Sequence, residues 1–181
     1  QSGLPKNAQI RGYFENSSVT AGGQVGASAI TGLDIKSEVV SISVAVGVGG
    51  TNGFGLAGSG VSTENKIATD VKATINGSGT NGIHAGNVAL VASDTSTIYA
   101  GAGAASVAVA VAGTTAFGLS IGVALARNQI ANNIEASITN AGNFTTTTTV
   151  GGVSLSATES ATITAVAVAA SIAVSVGTTG L

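Results

Sequence analysis

Short segments of this chain return in the same order at a nearly fixed spacing. Ile10-Arg11-Gly12-Tyr13-Phe14 aligns with Val71-Lys72-Ala73-Thr74-Ile75 and with Ile134-Glu135-Ala136-Ser137-Ile138, at spacings of 61 and 63. Gln24-Val25-Gly26-Ala27-Ser28-Ala29 aligns with 87–92 and 152–157, at 63 and 65. The turn threonines Thr51, Thr114 and Thr178 stand 63 and 64 apart, and Phe54-Gly55-Leu56 matches Phe117-Gly118-Leu119. These markers agree on a period of about 64, so the 181 residues hold nearly three units, 1–70, 71–133 and 134–181. The chain starts and stops inside a unit and reads as a piece of a longer array. One such unit cannot bury both faces of its strands until a neighbour covers it, so an elongated stack is expected.

Within a unit the order is constant. A short polar-edged strand (71–75) leads through an Asn/Gly/Ser-rich loop (76–87) to a second short strand (88–92). An acid follows, Asp94 or Glu159, then a long Val/Ala strand, a Gly-Thr-Thr turn and a Leu/Ile/Val strand. The long strands lie in three windows without charge, 39–63, 95–126 and 160–181. Each exceeds the ~18 residues that raise the question of a membrane helix. Gly- and Thr-rich turns interrupt them, however, and their residues alternate: in 106–112 every Val falls on one side, and in 118–126 Leu, Ile and Val do the same. A period of two belongs to strands. Both faces of these strands are apolar or tiny, so close packing on both sides is expected. The expected dry core is Val44, Val46, Val107, Val109, Val111, Leu119, Ile121, Val123, Leu125, Ile172, Val174 and Val176. A membrane barrel needs aromatic girdles, and the chain has no Trp, two Tyr and four Phe, so no membrane span is expected. No segment has a convincing helical period, and the fold class is all-β.

Composition narrows the rest. Charged residues make up 8%, against about 25% in ordinary domains, while 44% are apolar, which argues against a disordered chain. Zero Cys removes disulfides and thiolate chemistry. Six scattered basic residues and a net charge of −2 leave no footprint for nucleic acid. At matched positions charge changes sign: Arg11, Lys72 and Glu135 share one place in the unit, and Glu64 matches Arg127. If these stack, opposite charges become neighbours worth about 0.2–1 kcal/mol each.

Motifs for chemistry are weak. Gly118-Leu119-Ser120-Ile121-Gly122 fits the G-x-S-x-G nucleophile pattern, but it continues an alternating strand, the preceding copy reads Gly55-Leu56-Ala57-Gly58, and the chain's one His, His84, lies upstream. His84 is read as a loop residue. Asp34, Asp70 and Asp94 are isolated, with no Asp-x-Asp spacing, so no metal ligands and no cofactor are expected, and the eight acids are read as solvated edges. The Gly-rich run 48–53 lacks the Lys of a phosphate loop. Asn16, Asn76 and Asn143 head formal glycosylation sequons and are read as turn residues. Thr145 to Thr149 could present a flat hydroxyl row, although β-propensity accounts for the threonines as well.

The segments 11–23, 118–128 and 151–158 resemble the Gly/Val/Ala-rich repeat regions of giant bacterial leukotoxin-like and haemagglutinin-like filamentous surface adhesins. The resemblance covers essentially the whole chain, is one of repeat style, and brings no catalytic residues. It implies a secreted or cell-surface β-solenoid-like fibre. A unit of this length exceeds one simple coil and holds either several coils or a stacked pair of long hairpins. The first expectation is therefore a structural extracellular module that stacks end to end, with itself or neighbouring repeats as partner. The alternative is an adhesin module that recognises a host surface, glycan or ice through a loop face, 76–87 or 140–152. A third, an enzyme, rests on Ser120 alone, and no catalytic residue is assigned.

Overall fold

In a computed structural model of the chain, which describes residues 6–142, 144–146 and 152–180, the alternating segments form strands and the Asn/Gly-rich joints form corners. The first stretch carries β1 (Ala8–Glu15), β2 (Val19–Thr20), β3 (Gln24–Thr31), β4 (Asp34–Gly49) and β5 (Asn52–Ile67). The second carries β6 (Thr69–Asn76), β7 (Ile83–Ala85), β8 (Asn87–Asp94), β9 (Thr97–Ala112) and β10 (Thr115–Ile130). The third carries β11 (Asn133–Thr139), β12 (Phe144–Thr146), β13 (Val153–Glu159), β14 (Thr162–Val176) and β15 (Thr179–Gly180). They assemble into three-stranded sheets in the orders β1-β6-β11, β2-β7-β12, β3-β8-β13, β4-β9-β14 and β5-β10-β15. The fold is all-β with parallel pairing. Ile10 pairs with Val71 and Val71 with Ile134, while Val25 pairs with Val88 and Val88 with Val153, as the sequence alignment expects.

The first corner explains one sequence signal. Asn16, Gly77 and Asn140 follow the ends of β1, β6 and β11 with φ of 43°, 80° and 53°. A left-handed residue is tolerated there only as Gly or a short amide. The amide N–H of Asn16 donates to Asn76 O and that of Gly77 to Thr139 O, both at 2.8 Å, so the corners join the same ladder. Asn16 is the turn residue expected of it. Asn76 instead ends β6 and leaves the turn to Gly77, and Asn143 lies outside the described residues.

The chain divides into two compact units. The first comprises Gln1–Asp34, Lys66–Thr97 and Gln129–Ile163. Its core is aliphatic: Val71, Ile75, Ile83 and Leu90 are fully buried, together with Ala73, Ala85 and Ala92. Asp94 is also fully buried, which corrects the expectation that the acids sit at solvated edges. It ends β8, where one carboxylate oxygen accepts the Ser96 N–H at 2.8 Å and the other accepts the Thr69 hydroxyl at 3.2 Å. These bonds replace the water that burial removes. The equivalent residues are Thr31 and Glu159, so the buried carboxylate belongs to the middle stretch.

The second unit comprises Ile35–Asn65, Ile98–Asn128 and Thr164–Leu181. Here the expected core is turned inside out. On β9 the buried row is Ala102, Ala104, Ser106, Ala108 and Ala110, and on β5 it is Gly53, Gly55, Ala57 and Ser59. Of the residues expected to form the dry core none is buried: Val44, Val46 and Leu125 are 65%, 66% and 57% exposed, and Val107 and Val109 are half-buried. The reason is distance. A Cβ on Gly55 would collide with the carbonyl of Val109, and one on Gly47 with the carbonyl of Phe54. The β4-β9-β14 and β5-β10-β15 sheets thus touch nearly backbone to backbone, closer than the usual ~10 Å between sheets. Serines bridge them, with Ser106 and Ser120 hydroxyls 2.7 Å apart and the Ser59 hydroxyl donating to Ser41 O at 2.9 Å.

A methyl at the close approach overpacks the second unit, so Gly55→Ala is expected to cost about 1–3 kcal/mol. Val46→Thr on the outward face is expected to change stability by less than about 0.5 kcal/mol. Urea unfolding at low protein concentration checks both; equal losses would contradict the inside-out arrangement.

Candidate binding face

The sheet β1-β6-β11 of the first unit sends Ile10, Gly12 and Phe14, with Val71, Ala73 and Ile75, to its covered side. The alternate residues face outward, and the register places them in columns. Arg11, Lys72 and Glu135 form one; Tyr13, Thr74 and Ser137 the next; Glu15, Asn76 and Thr139 the third. They line a depression of about 340 Å³, with Phe14 at its edge.

Bonds within and between the columns hold most of these side chains. Lys72 Nζ lies 3.0 Å from Glu135 Oε2, and the Ser137 hydroxyl donates to Glu135 Oε1 at 2.7 Å. Asn76 Oδ1 accepts from the Thr139 hydroxyl at 3.2 Å and from Asn140 Nδ2 at 2.9 Å. Arg11 and Glu15 flank Tyr13 along β1 and form no ion pair among the described residues, and Tyr13 is 60% exposed. The face therefore offers an open aromatic ring between a cation and a carboxylate, beside a row of hydroxyls and an amide. That is equipment for holding a polar ligand with one flat apolar side. The Ser137 hydroxyl first, and the Lys72 ammonium second, hold the Glu135 carboxyl below its ordinary value.

The stacked charge expected at Lys72 and Glu135 is present as an ion pair. Glu64 and Arg127 form none among the described residues, although their neighbours Asn65 and Asn128 are joined by a side-chain hydrogen bond of 2.9 Å. Ser120 lies within β10, its hydroxyl engaged by Ser106, in a strand that runs on to Ile130. His84 lies in the short strand β7, not in a loop, with Nε2 2.9 Å from Asn81 O. Among the described residues no three of His, Asp or Glu gather to hold a metal ion, and no helix is long and apolar enough to cross a membrane. The tract at 145–149 reaches the described residues only as the backbone of β12, which pairs Thr145 with His84. Sequence reasoning missed the recessed face as a site. The signal was available in the Arg11, Lys72, Glu135 alignment, which extends two and four positions on to the other columns.

No protein-family model, curated protein or solved structure matches the chain.

A carboxyl whose folded value is depressed contributes stability that is present above its unfolded value and lost as pH falls through the folded value. Ser137→Ala and Lys72→Met are therefore each expected to move the Glu135 titration upward. Carboxyl-carbon NMR titration reads both shifts, and an unchanged Glu135 midpoint in Ser137→Ala would refute the assignment.

Proposed function

We propose that this chain is a structural module of a secreted or cell-surface protein. In this reading it is a β-solenoid-like stack in which each repeat unit makes one layer and layers join end to end into a stiff filament or stalk. The observation that carries the reading is that pairing follows the aligned segments, at offsets of 61 and 63 residues in one sheet and 63 and 65 in the other. β1 with β6, β6 with β11, β3 with β8 and β8 with β13 all pair parallel one repeat unit apart, without a slip in either sheet. The breaks between β5 and β6 and between β10 and β11 fall close to the boundaries 1–70, 71–133 and 134–181. Within each sheet the first-stretch and third-stretch strands are paired on one side, which leaves a row of backbone donors and acceptors that a further layer completes. The reading assigns no catalytic residue, metal or cofactor. Its partners are further copies or neighbouring repeats.

Concentrated protein is expected to form filaments by electron microscopy, with a reflection near ~4.8 Å along the filament axis in diffraction. Compact monomers at high concentration would overturn the stacking reading.

A second reading, an adhesin module that holds a surface glycan, is favoured by the depression around Tyr13. It moves the binding face from the loops at 76–87 and 140–152 to a strand face. A pyranose has one apolar side to lay on the ring, and hydroxyls for Arg11, Glu15, Thr74 and Asn76. The chain has two Tyr and no Trp, so tyrosine fluorescence reports on this face against the single background of Tyr99. Acidic and neutral trisaccharides are expected to quench the parent and not Tyr13→Ala. Identical responses from both proteins would remove this reading.

A further inference from the structure

We propose that the outward face of the β4-β9-β14 sheet is an interface for the same face of a second copy of this chain, a side-by-side contact separate from end-to-end stacking. The face consists of the alternate positions from Val40 to Val48 on β4, from Gly103 to Val111 on β9 and from Val168 to Val176 on β14. Every side chain there is Val, Ile or Ala, apart from Gly103. Ile42, Val46 and Val48 are 71%, 66% and 78% exposed. Open edges add to the exposure on β4 and β14; on β9, which has a neighbour on each side, Gly103, Ala105, Val107 and Val109 are half-buried and Val111 is 38% exposed, so solvent reaches the face there as well. What is missing is a layer over the face.

Size and chemistry point to a second copy as that layer. On a parallel sheet each outward residue occupies about 4.8 Å by 6.6 Å, so fifteen positions cover about 480 Å² per copy and about 1,000 Å² for the pair. That reaches only the ~1,000 Å² that separates weak contacts from stable complexes, and the patch on each copy lies within the ~300–600 Å² range of the largest apolar patches that monomers carry. No charge lies within the face to select a different partner or to repel a like one. The charges of the sheet stand at one end, where Lys36 Nζ lies 5.6 Å from the centre of the Tyr99 ring and Glu38 follows. Ribs of β-branched side chains repeat with one spacing on both copies, so the ribs of one fit between the ribs of the other, as in a dry interface of identical sheets. Beside Val40 and Val168, Gly101 and Gly103 leave a slot of about 160 Å³, bounded by Glu38 and Tyr99 at the end where the charges stand, that partner ribs can enter from its valine side. The contact is a weak one for three strands per sheet and grows with each added layer.

Sedimentation velocity on the parent chain is expected to show reversible dimers in the high-micromolar range. Val109→Lys puts a cation on the middle strand, one position from the centre of the face, and is expected to weaken pairing at least tenfold with an unchanged β-sheet circular dichroism spectrum. Val109→Thr, a conservative variant, is expected to keep the fold and weaken pairing less. Mixing Val109→Lys with Val109→Glu is expected to restore pairing between unlike copies, which a lipid-binding face would not do. Monomers throughout, dimers equally strong in Val109→Lys, or flotation with phosphatidylcholine vesicles in place of pairing would each overturn the proposal. Filaments of single width in parent and variant alike would overturn it while leaving end-to-end stacking intact.

Discussion

The parallel backbone ladder between equivalent positions of successive stretches governs the rest of this molecule. In-register parallel pairing places each side chain beside its equivalent from the next stretch, about 4.8 Å away. A charge repeated at one position would face itself, and the chain carries few charges: the sign changes between Lys72 and Glu135, which pair, while like charges stand in register only at Arg11 beside Lys72 and at Asp94 beside Glu159. Amides suit the same geometry because they both donate and accept: Asn87 Nδ2 donates to Gln24 Oε1 at 3.0 Å, and Asn65 Nδ2 to Asn128 Oδ1 at 2.9 Å. The scarcity of charge in the sequence is thus a demand of the ladder on every position it contains.

In the second unit, size selects the covered face where hydrophobicity cannot. Alternation normally identifies the buried side because one row is apolar and the other polar. On β9 neither row is marked as the solvent side by polarity: one runs from Ala100 to Ala110 with Ser106 its single polar member, and the other carries Val107 to Val111, so either could in principle be covered. The sheets come closest, and gain the densest dispersion contacts, when the smaller row lies between them. Glycine extends that logic to its limit at Gly47 and Gly55, where neighbouring carbonyls occupy the space a Cβ would need. The branched residues left outside still cover one another along their own columns, which lowers the cost of their exposure.

Much of this was legible in the sequence, for a definite reason. Register is set by equivalence between stretches, and equivalence can be read directly: Ile10, Val71 and Ile134 align by composition and pair in the sheet. The orientation of the long strands was not legible, since two apolar rows give no sign of which faces in. Asp94 escaped because its equivalents, Thr31 and Glu159, suggest an edge position, whereas its burial depends on Thr69 and Ser96, which lie in different strands or joints. The Tyr13 face escaped because its members are ordinary one at a time. Only the pairing of β1 with β6 brings Arg11, Tyr13 and Glu15 next to Lys72, Thr74 and Asn76.

The two outward faces also differ in how far they vary from stretch to stretch. Around Tyr13 the columns read Arg, Lys, Glu and Tyr, Thr, Ser, so each stretch presents a different pattern. On β4, β9 and β14 the alternating row stays Val, Ile or Ala through most of its length. A face that pairs with copies of itself must match at any offset along the ladder, and sameness serves that purpose, since every added layer repeats the contact and multiplies a weak affinity. A face that recognises one ligand has the opposite requirement, because its selectivity lies in positions that are not repeated. Uniform Val ribs therefore suit association between chains, and the varied columns around Tyr13 suit recognition of something else.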